Sequence, residues 1–244
     1  MHVPRLYTAG NLAQGETLDL SGQAAHHVAN VLRLKAGATI HIFDGRGHEH
    51  RASISTVNRS DITLTVHEAV NTQMESYLDI TLLQGIARND HMDLVLRKAV
   101  ELGVNTIQPL WMQRSQTHLK NNRLEKRVRH WEGVIINACE QCGRATLPVL
   151  SHVQNYTDWI STTGLSGAGV MLQPASDISL KQLELAEKHI SVLVGPEGGM
   201  TADEQTMAVN AGFGGIRLGP RILRTETAAL AAVSAIQTLW GDFS

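Results

Sequence analysis

Two short apolar segments, residues 191–194 and 215–218, each run straight into a Gly-Pro pair. A strand cannot continue through either pair, because proline has no N–H for the ladder and glycine tolerates turn dihedrals. The first pair opens Gly195-Pro-Glu-Gly-Gly-Met200, and the second lies in Leu218-Gly-Pro-Arg-Ile-Leu-Arg-Thr-Glu-Thr227. Loops so poor in side chains leave backbone N–H and C=O groups free to line a cleft. In an open α/β sheet that cleft lies beyond the carboxyl ends of the strands. Either loop alone reads equally well as a tight turn. Together, with Arg221, Arg224, Thr225 and Glu226 in the second, they have the density of charge and hydroxyls that suits a reaction site.

The rest of the chain divides by periodicity. Residues 1–70 read as mostly β: 62–66 alternate apolar and polar at period two, 39–43 and 52–57 are strand-like, and 44–47 form a turn between them. Residues 23–34 are the exception, a predicted helix with Ala24, Val28, Val31 and Leu32 on one face. The whole is a small barrel with one helix. Residues 71–77 are polar, lack periodicity and read as a linker.

From residue 78 onward strands and helices alternate, the pattern of a parallel sheet with crossover helices. Strands are expected at 80–83, 106–111, 169–172, 191–194 and 215–218. A helix is expected over 90–102, stopped by Gly103. A longer one carries Leu124, Val128, Trp131, Ile135, Ala138 and Cys142 at helical spacing, and Thr201-Ala-Asp-Glu204 is a capping box that starts another. The last helix, 226–240, is apolar nearly all round, which points to burial on several sides and to a subunit interface.

At 244 residues, 43% hydrophobic and 18% charged, the chain can bury a sizeable core in one domain or two. No apolar run approaches the roughly 18 residues that span a bilayer, and the first residues lack a signal-peptide core. With only two cysteines, a reducing cytoplasmic location is expected and no membrane association. Cys139-Glu-Gln-Cys142 has redox or zinc spacing but sits late in a helix, away from the helix start where the dipole activates thiols, so small packed side chains are the better reading. His48 and His50 share a strand face with no cysteine or acidic cluster beside them, and no metal is expected. The glycine-rich 164–169 precedes a strand, the reverse of a dinucleotide turn, and no P-loop lysine is present. A net charge of −2 makes no global case for nucleic acid. The local case is the stretch 114–129, with Arg114, Lys120, Arg123, Lys126, Arg127 and Arg129. It reads either as a solvated helix face or as a patch that contacts phosphates.

The two Gly-Pro loops, together with Met92-Asp-Leu-Val-Leu-Arg-Lys-Ala-Val-Glu-Leu-Gly103, Ala138-Cys-Glu-Gln-Cys-Gly-Arg144 and His26-His-Val-Ala-Asn-Val-Leu-Arg-Leu34, resemble the SPOUT (knotted) RNA methyltransferases. Within that group they are most similar to the 16S ribosomal RNA uridine N3-methyltransferases, over nearly the whole chain. The resemblance implies an α/β fold in two parts: a PUA-like RNA-binding β-barrel in 1–70, the linker 71–77, and a SPOUT parallel-sheet domain in 78–244 with a C-terminal trefoil knot. It implies a homodimer packed through the knot, S-adenosyl-L-methionine as cofactor, and 16S rRNA in the assembled small ribosomal subunit as substrate. It places the cofactor against Leu172, Gln173 and Pro174; against Gly195, Pro196, Glu197, Gly198 and Gly199; and against Leu218, Gly219, Ile222, Leu223, Arg224 and Thr225. It also tips the basic patch (Arg114, Lys120, Arg123, Lys126, Arg127) toward RNA. A non-catalytic RNA- or ribosome-binding protein with the same fold is the alternative, since fold does not dictate chemistry.

Methyl transfer to uridine N3 is an in-line displacement at a sulfonium methyl group and uses no metal. The protein must align donor and acceptor, stabilise an anionic base ring and take the N3 proton. Arg224 and Arg144 are the electrostatic candidates; Glu140 and Glu226 are the candidate bases.

Overall fold

Ile62, Leu64 and Val66 alternate with threonines in the sequence, and all three are buried. That alternation lays one face of a sheet onto a core and leaves the other polar. The computed structural model describes residues 3–58, 61–71, 73–115, 122–165 and 167–243. Its first sheet contains β1 (Arg5–Tyr7), β2 (Thr17–Ser21), β3 (Thr39–Phe43), β4 (Glu49–Val57) and β5 (Asp61–Val70), in the order β1-β3-β4-β5-β2. β1 pairs with β3 in parallel; the other pairs are antiparallel. Leu6, Leu20, Ile40, Ile42, Ala52 and Ile54 join the three residues of β5 in one core.

Where a helix over 23–34 is expected, the chain forms α1 (Gly22–His26) and then a single π-helical stretch, His27–Val31. The wider turn, closed by Leu32 N–H donating to the His27 carbonyl at 2.9 Å, breaks the 3.6-residue phase. Val28 therefore stays fully buried while Val31 is 60% exposed, off the expected stripe. The helical stretch ends at Val31, three residues before Leu34, and Arg33 beyond it has a left-handed φ of 53°.

The chain's compact units are not sequential. Residues 1–75 form one together with 139–147; residues 76–138 and 148–244 form the other. Arg5 is the anchor of the returning segment. It forks onto Glu49 at 2.6 and 3.2 Å and donates to the carbonyls of Cys139 at 2.6 Å and Arg144 at 3.1 Å. Gly47 N–H and the Gly45 carbonyl add sheet-like bonds to Ala145 and Leu147.

The second unit is built on β6 (Asp79–Gly85), α2 (Asn89–Glu101), β7 (Thr106–Trp111), α3 (Asn122–Cys142, its last turn counted with the first unit), β8 (Val149–Leu150), β9 (Gln154–Asn155), α4 (Tyr156–Thr162), β10 (Ala168–Leu172), β11 (His189–Val194), α5 (Ala202–Asn210), β12 (Gly214–Ile216) and α6 (Thr225–Trp240). All strands are parallel, in the order β12-β10-β11-β6-β7-β8, with β9 also on β7. β8, β9 and α4 are not expected from the sequence, being two-residue strands and a helix of only seven residues. The strand expected over 215–218 stops at Ile216, because Arg217 turns away to donate its N–H to the Ile178 carbonyl. Leu83, Met171 and Leu193 pack with α4 and α5, while α6 packs on β6, β11 and α2. No helix among the described residues is long and apolar enough to cross a membrane.

Candidate active site

From β6 the chain runs outward through β7 to β8, then returns to place β11 and β10 on the other side of β6. The order reverses there, and the crevice beyond the carboxyl ends at such a point is where open α/β sheets bind ligands. A cavity of about 470 Å³ opens beside that position, past Leu172, Val194 and Ile216, the last residues of β10, β11 and β12. Its volume is that of a small-molecule site. Leu172, Gln173 and Pro174, then Gly195, Pro196, Glu197 and Gly199, then Leu218, Gly219, Ile222, Leu223, Arg224 and Thr225 all line it, as does Glu226. Gly198 does not. It faces Arg114, whose guanidinium donates to the Gly198 carbonyl at 3.1 Å.

Three features shape the walls. Gly85, at the end of β6, carries no Cβ because one would lie 2.6 Å from the Pro196 ring and nitrogen. The Thr225 hydroxyl donates to the Gly195 carbonyl at 2.6 Å and accepts from Gln84 Nε2 at 3.1 Å. A buried polar chain thus ties β6, the GPEGG loop and the first residue of α6 together, and Thr225 acts on the loop through it. Among the described residues, no backbone group of 218–223 has a hydrogen-bond partner. Open main-chain donors and acceptors on a cavity wall are what a flat heterocycle with ring nitrogens and an amino group needs, so this wall fits the adenine of S-adenosylmethionine.

Charge is supplied by three segments, the β6–α2 junction, the GPEGG loop and the connection from β12 to α6. Arg88, Arg217, Arg221 and Arg224 line the cavity, all exposed. Glu226 is only 7% exposed, and its Oε2 is buried without a partner, as is Oε2 of Glu197. The other oxygen of Glu197 accepts from Arg88 N–H at 2.8 Å and from the ring of His91 at 3.0 Å. Arg88 and His91 were not singled out from the sequence. The signal available was topological: they occupy the junction between β6 and α2, at the carboxyl end of a parallel strand.

Glu140 and Arg144 do not line the cavity; both belong to the first unit. Arg144 is 3% exposed and forks onto Glu75 at 2.7 and 3.1 Å. Glu140 accepts from Tyr7 N–H at 3.0 Å, and burial pushes its carboxyl up, against the pull of that N–H and of His27 and Arg5. Burial also pushes the Cys139 thiol up to about 12, as befits an unreactive packed side chain. Arg123 and Lys126 are exposed on α3, Arg127 is half-buried, and Lys120 lies outside the described residues.

Comparisons with known proteins agree on the family. Residues 74–237 match a family described as an RNA methyltransferase domain, and 20–66 match an RNA methyltransferase PUA domain. Ribosomal RNA small subunit methyltransferase E of Buchnera aphidicola subsp. Acyrthosiphon pisum is 33% identical over 99% of this chain and 95% of its own. The methyltransferase of that name from Neisseria gonorrhoeae, solved bound to S-adenosyl methionine, is 39% identical, with a TM-score of 0.93 over 100% of both chains. A Legionella pneumophila methyltransferase in complex with bound SAM is 33% identical, with a TM-score of 0.96 over 100% of both. A parallel α/β domain of SPOUT type, carrying its cavity at the carboxyl ends of β10, β11 and β12 and joined to a PUA-like β domain, thus goes with sequence identity along the whole length: the chain belongs to the ribosomal RNA small subunit methyltransferase E family.

Proposed function

We propose that the protein uses S-adenosylmethionine to methylate N3 of a uridine in 16S ribosomal RNA, acting on the assembled small subunit as a cytoplasmic homodimer. The observation that carries this reading is the cavity wall of 218–223, whose backbone groups are unpaired, in a chain alike along its full length to relatives solved with that cofactor. When bound, S-adenosylmethionine supplies an electrophilic methyl group on a sulfonium. The protein's own contribution is alignment and charge. Leu172 to Pro174, Gly195 to Glu197 with Gly199, and Leu218, Gly219 and Ile222 to Thr225 hold the cofactor. Arg224, exposed on the cavity rim, stabilises negative charge on a uracil carbonyl as the N3 proton leaves. Glu226, with a buried and unpaired Oε2, takes that proton. Glu140 and Arg144 support the fold of the first unit. That unit and the basic face with Arg123, Lys126 and Arg127 grip RNA through phosphates.

The test has two stages. S-adenosylhomocysteine should raise the melting temperature where NADH and ATP do not, since a ligand of the native state alone stabilises it. Small subunits from cells lacking the modification should then gain 3-methyluridine, identified by mass spectrometry of the digested RNA. Stabilisation by ATP alone would overturn the cofactor reading, and a methyl group on another atom would overturn the N3 assignment.

A further inference from the structure

Two carboxylates, Glu197 and Glu226, line one cavity, and the structure treats them differently. Glu197 Oε1 receives two donors, Arg88 N–H at 2.8 Å and His91 Nδ1 at 3.0 Å. Glu226 Oε2 lies 3.7 Å from the same imidazole nitrogen, beyond hydrogen-bond reach, and has no partner. A carboxylate can only accept, so the Nδ1 proton points to Glu197. The remaining ring nitrogen, Nε2, is 3.8 Å from the exposed Asp90. His91 itself is largely withdrawn from solvent on the first turns of α2.

We propose that His91 is a positioning residue for the cofactor cavity. By donating from Nδ1 to Glu197 it fixes the GPEGG loop against the β6–α2 junction, and by choosing Glu197 it leaves Glu226 unsaturated and facing the cavity. The division matters because the two carboxylates have incompatible tasks. Holding a loop requires donors, which Glu197 receives on Oε1 although its Oε2 has none, whereas accepting a proton requires a free lone pair on a carboxylate that is not tied down. The same loop carries Pro196 over Gly85, so releasing Glu197 loosens the wall that the cofactor leans on. This inference rests on the methyltransferase reading, and its test is one of cofactor binding, separate from RNA chemistry.

The experiment is calorimetric titration of S-adenosylmethionine into the full-length protein and its variants, with thermal melting of each to show that it folds. His91→Ala should weaken binding about tenfold, the size of one hydrogen bond to a charged group. His91→Asn places an amide N–H where Nδ1 was and should restore binding to within about twofold. His91→Gln, whose amide reaches the Nε2 position, should not. Glu197→Gln should weaken binding much as His91→Ala does, and the double variant should lose no more than either single one, because both remove the same contact. At saturating cofactor, His91→Ala should turn over small-subunit RNA within a few-fold of the parent, so that the loss appears in KM. Parent-like binding by His91→Ala, equal behaviour of the Asn and Gln variants, or additive losses would each overturn the proposal. A parent protein that fails to bind S-adenosylmethionine would instead overturn the reading of function.

Discussion

Arg224 and Glu226 flank Thr225, yet solvent treats the three differently: the arginine is exposed, while Thr225 and Glu226 are 6% and 7% exposed. The helix start explains it. Arg224 is the N-cap residue in extended conformation, so its side chain stays outside, and the next two residues turn inward with α6. If Arg224 stabilises the transition state, Arg224→Ala should cut methylation about a hundredfold while leaving the cofactor dissociation constant within a few-fold. Loss of cofactor binding with normal turnover at saturation would make it a clamp instead. Glu140 provides a second test at this scale. Burial raises its carboxyl, and a carboxyl whose folded pKa lies above its unfolded one contributes stability that is complete below the unfolded value. That contribution is lost as pH rises through the folded value. Glu140→Gln keeps an oxygen for Tyr7 N–H and carries no charge. It should melt higher than the parent at about pH 8, with the gap closing toward about pH 4. A gap independent of pH would remove the titration argument.

At the scale of elements, what the sequence revealed was what local chemistry controls. The Thr201–Glu204 capping box is formed, with Glu204 N–H donating to the Thr201 hydroxyl at 3.2 Å and Thr201 N–H to the carboxylate at 2.8 Å. β11 stops at the Gly-Pro pair, and Gly103, at φ 78°, ends α2. What stayed hidden depends on partners remote in the chain. The π-helical turn that turns Val31 outward is an answer to packing, with no residue signature of its own. The His91–Glu197 contact joins positions 106 apart. Nothing in the sequence marks Gly85, which the structure sets beneath Pro196. That contact gives an element-scale prediction. Gly85→Ala should push the GPEGG loop outward and weaken S-adenosylhomocysteine stabilisation by several degrees, a large share of what such a ligand can supply. A crystal structure of the variant with Pro196 unmoved and full stabilisation would refute it.

For the whole molecule, the outer face of α6 is the assembly question. The inner face is filled by Ala229, Ala232, Val233 and Ile236; Ala232 is 0% exposed within the protomer, so a charge there would test folding rather than association. The opposite side presents Ala231, Ala235 and Leu239, the last 41% exposed. If a second copy covers it, Ala231→Glu should sediment as a folded monomer, because an unpaired charge in a dry contact is costly. A parent protein that sediments as a monomer would refute the homodimer. The return of Cys139–Leu147 to the first unit has a consequence for the order of events during synthesis. Arg5 finds two of its acceptors only in carbonyls 134 and 139 positions later. On the ribosome, Arg5 can pair only with Glu49, and the β unit stays incomplete, until more than half the chain has emerged, and loops that long close slowly. Nascent chains arrested soon after residue 75 should be protease-sensitive throughout the β strands, whereas chains extended well past residue 147 should resist.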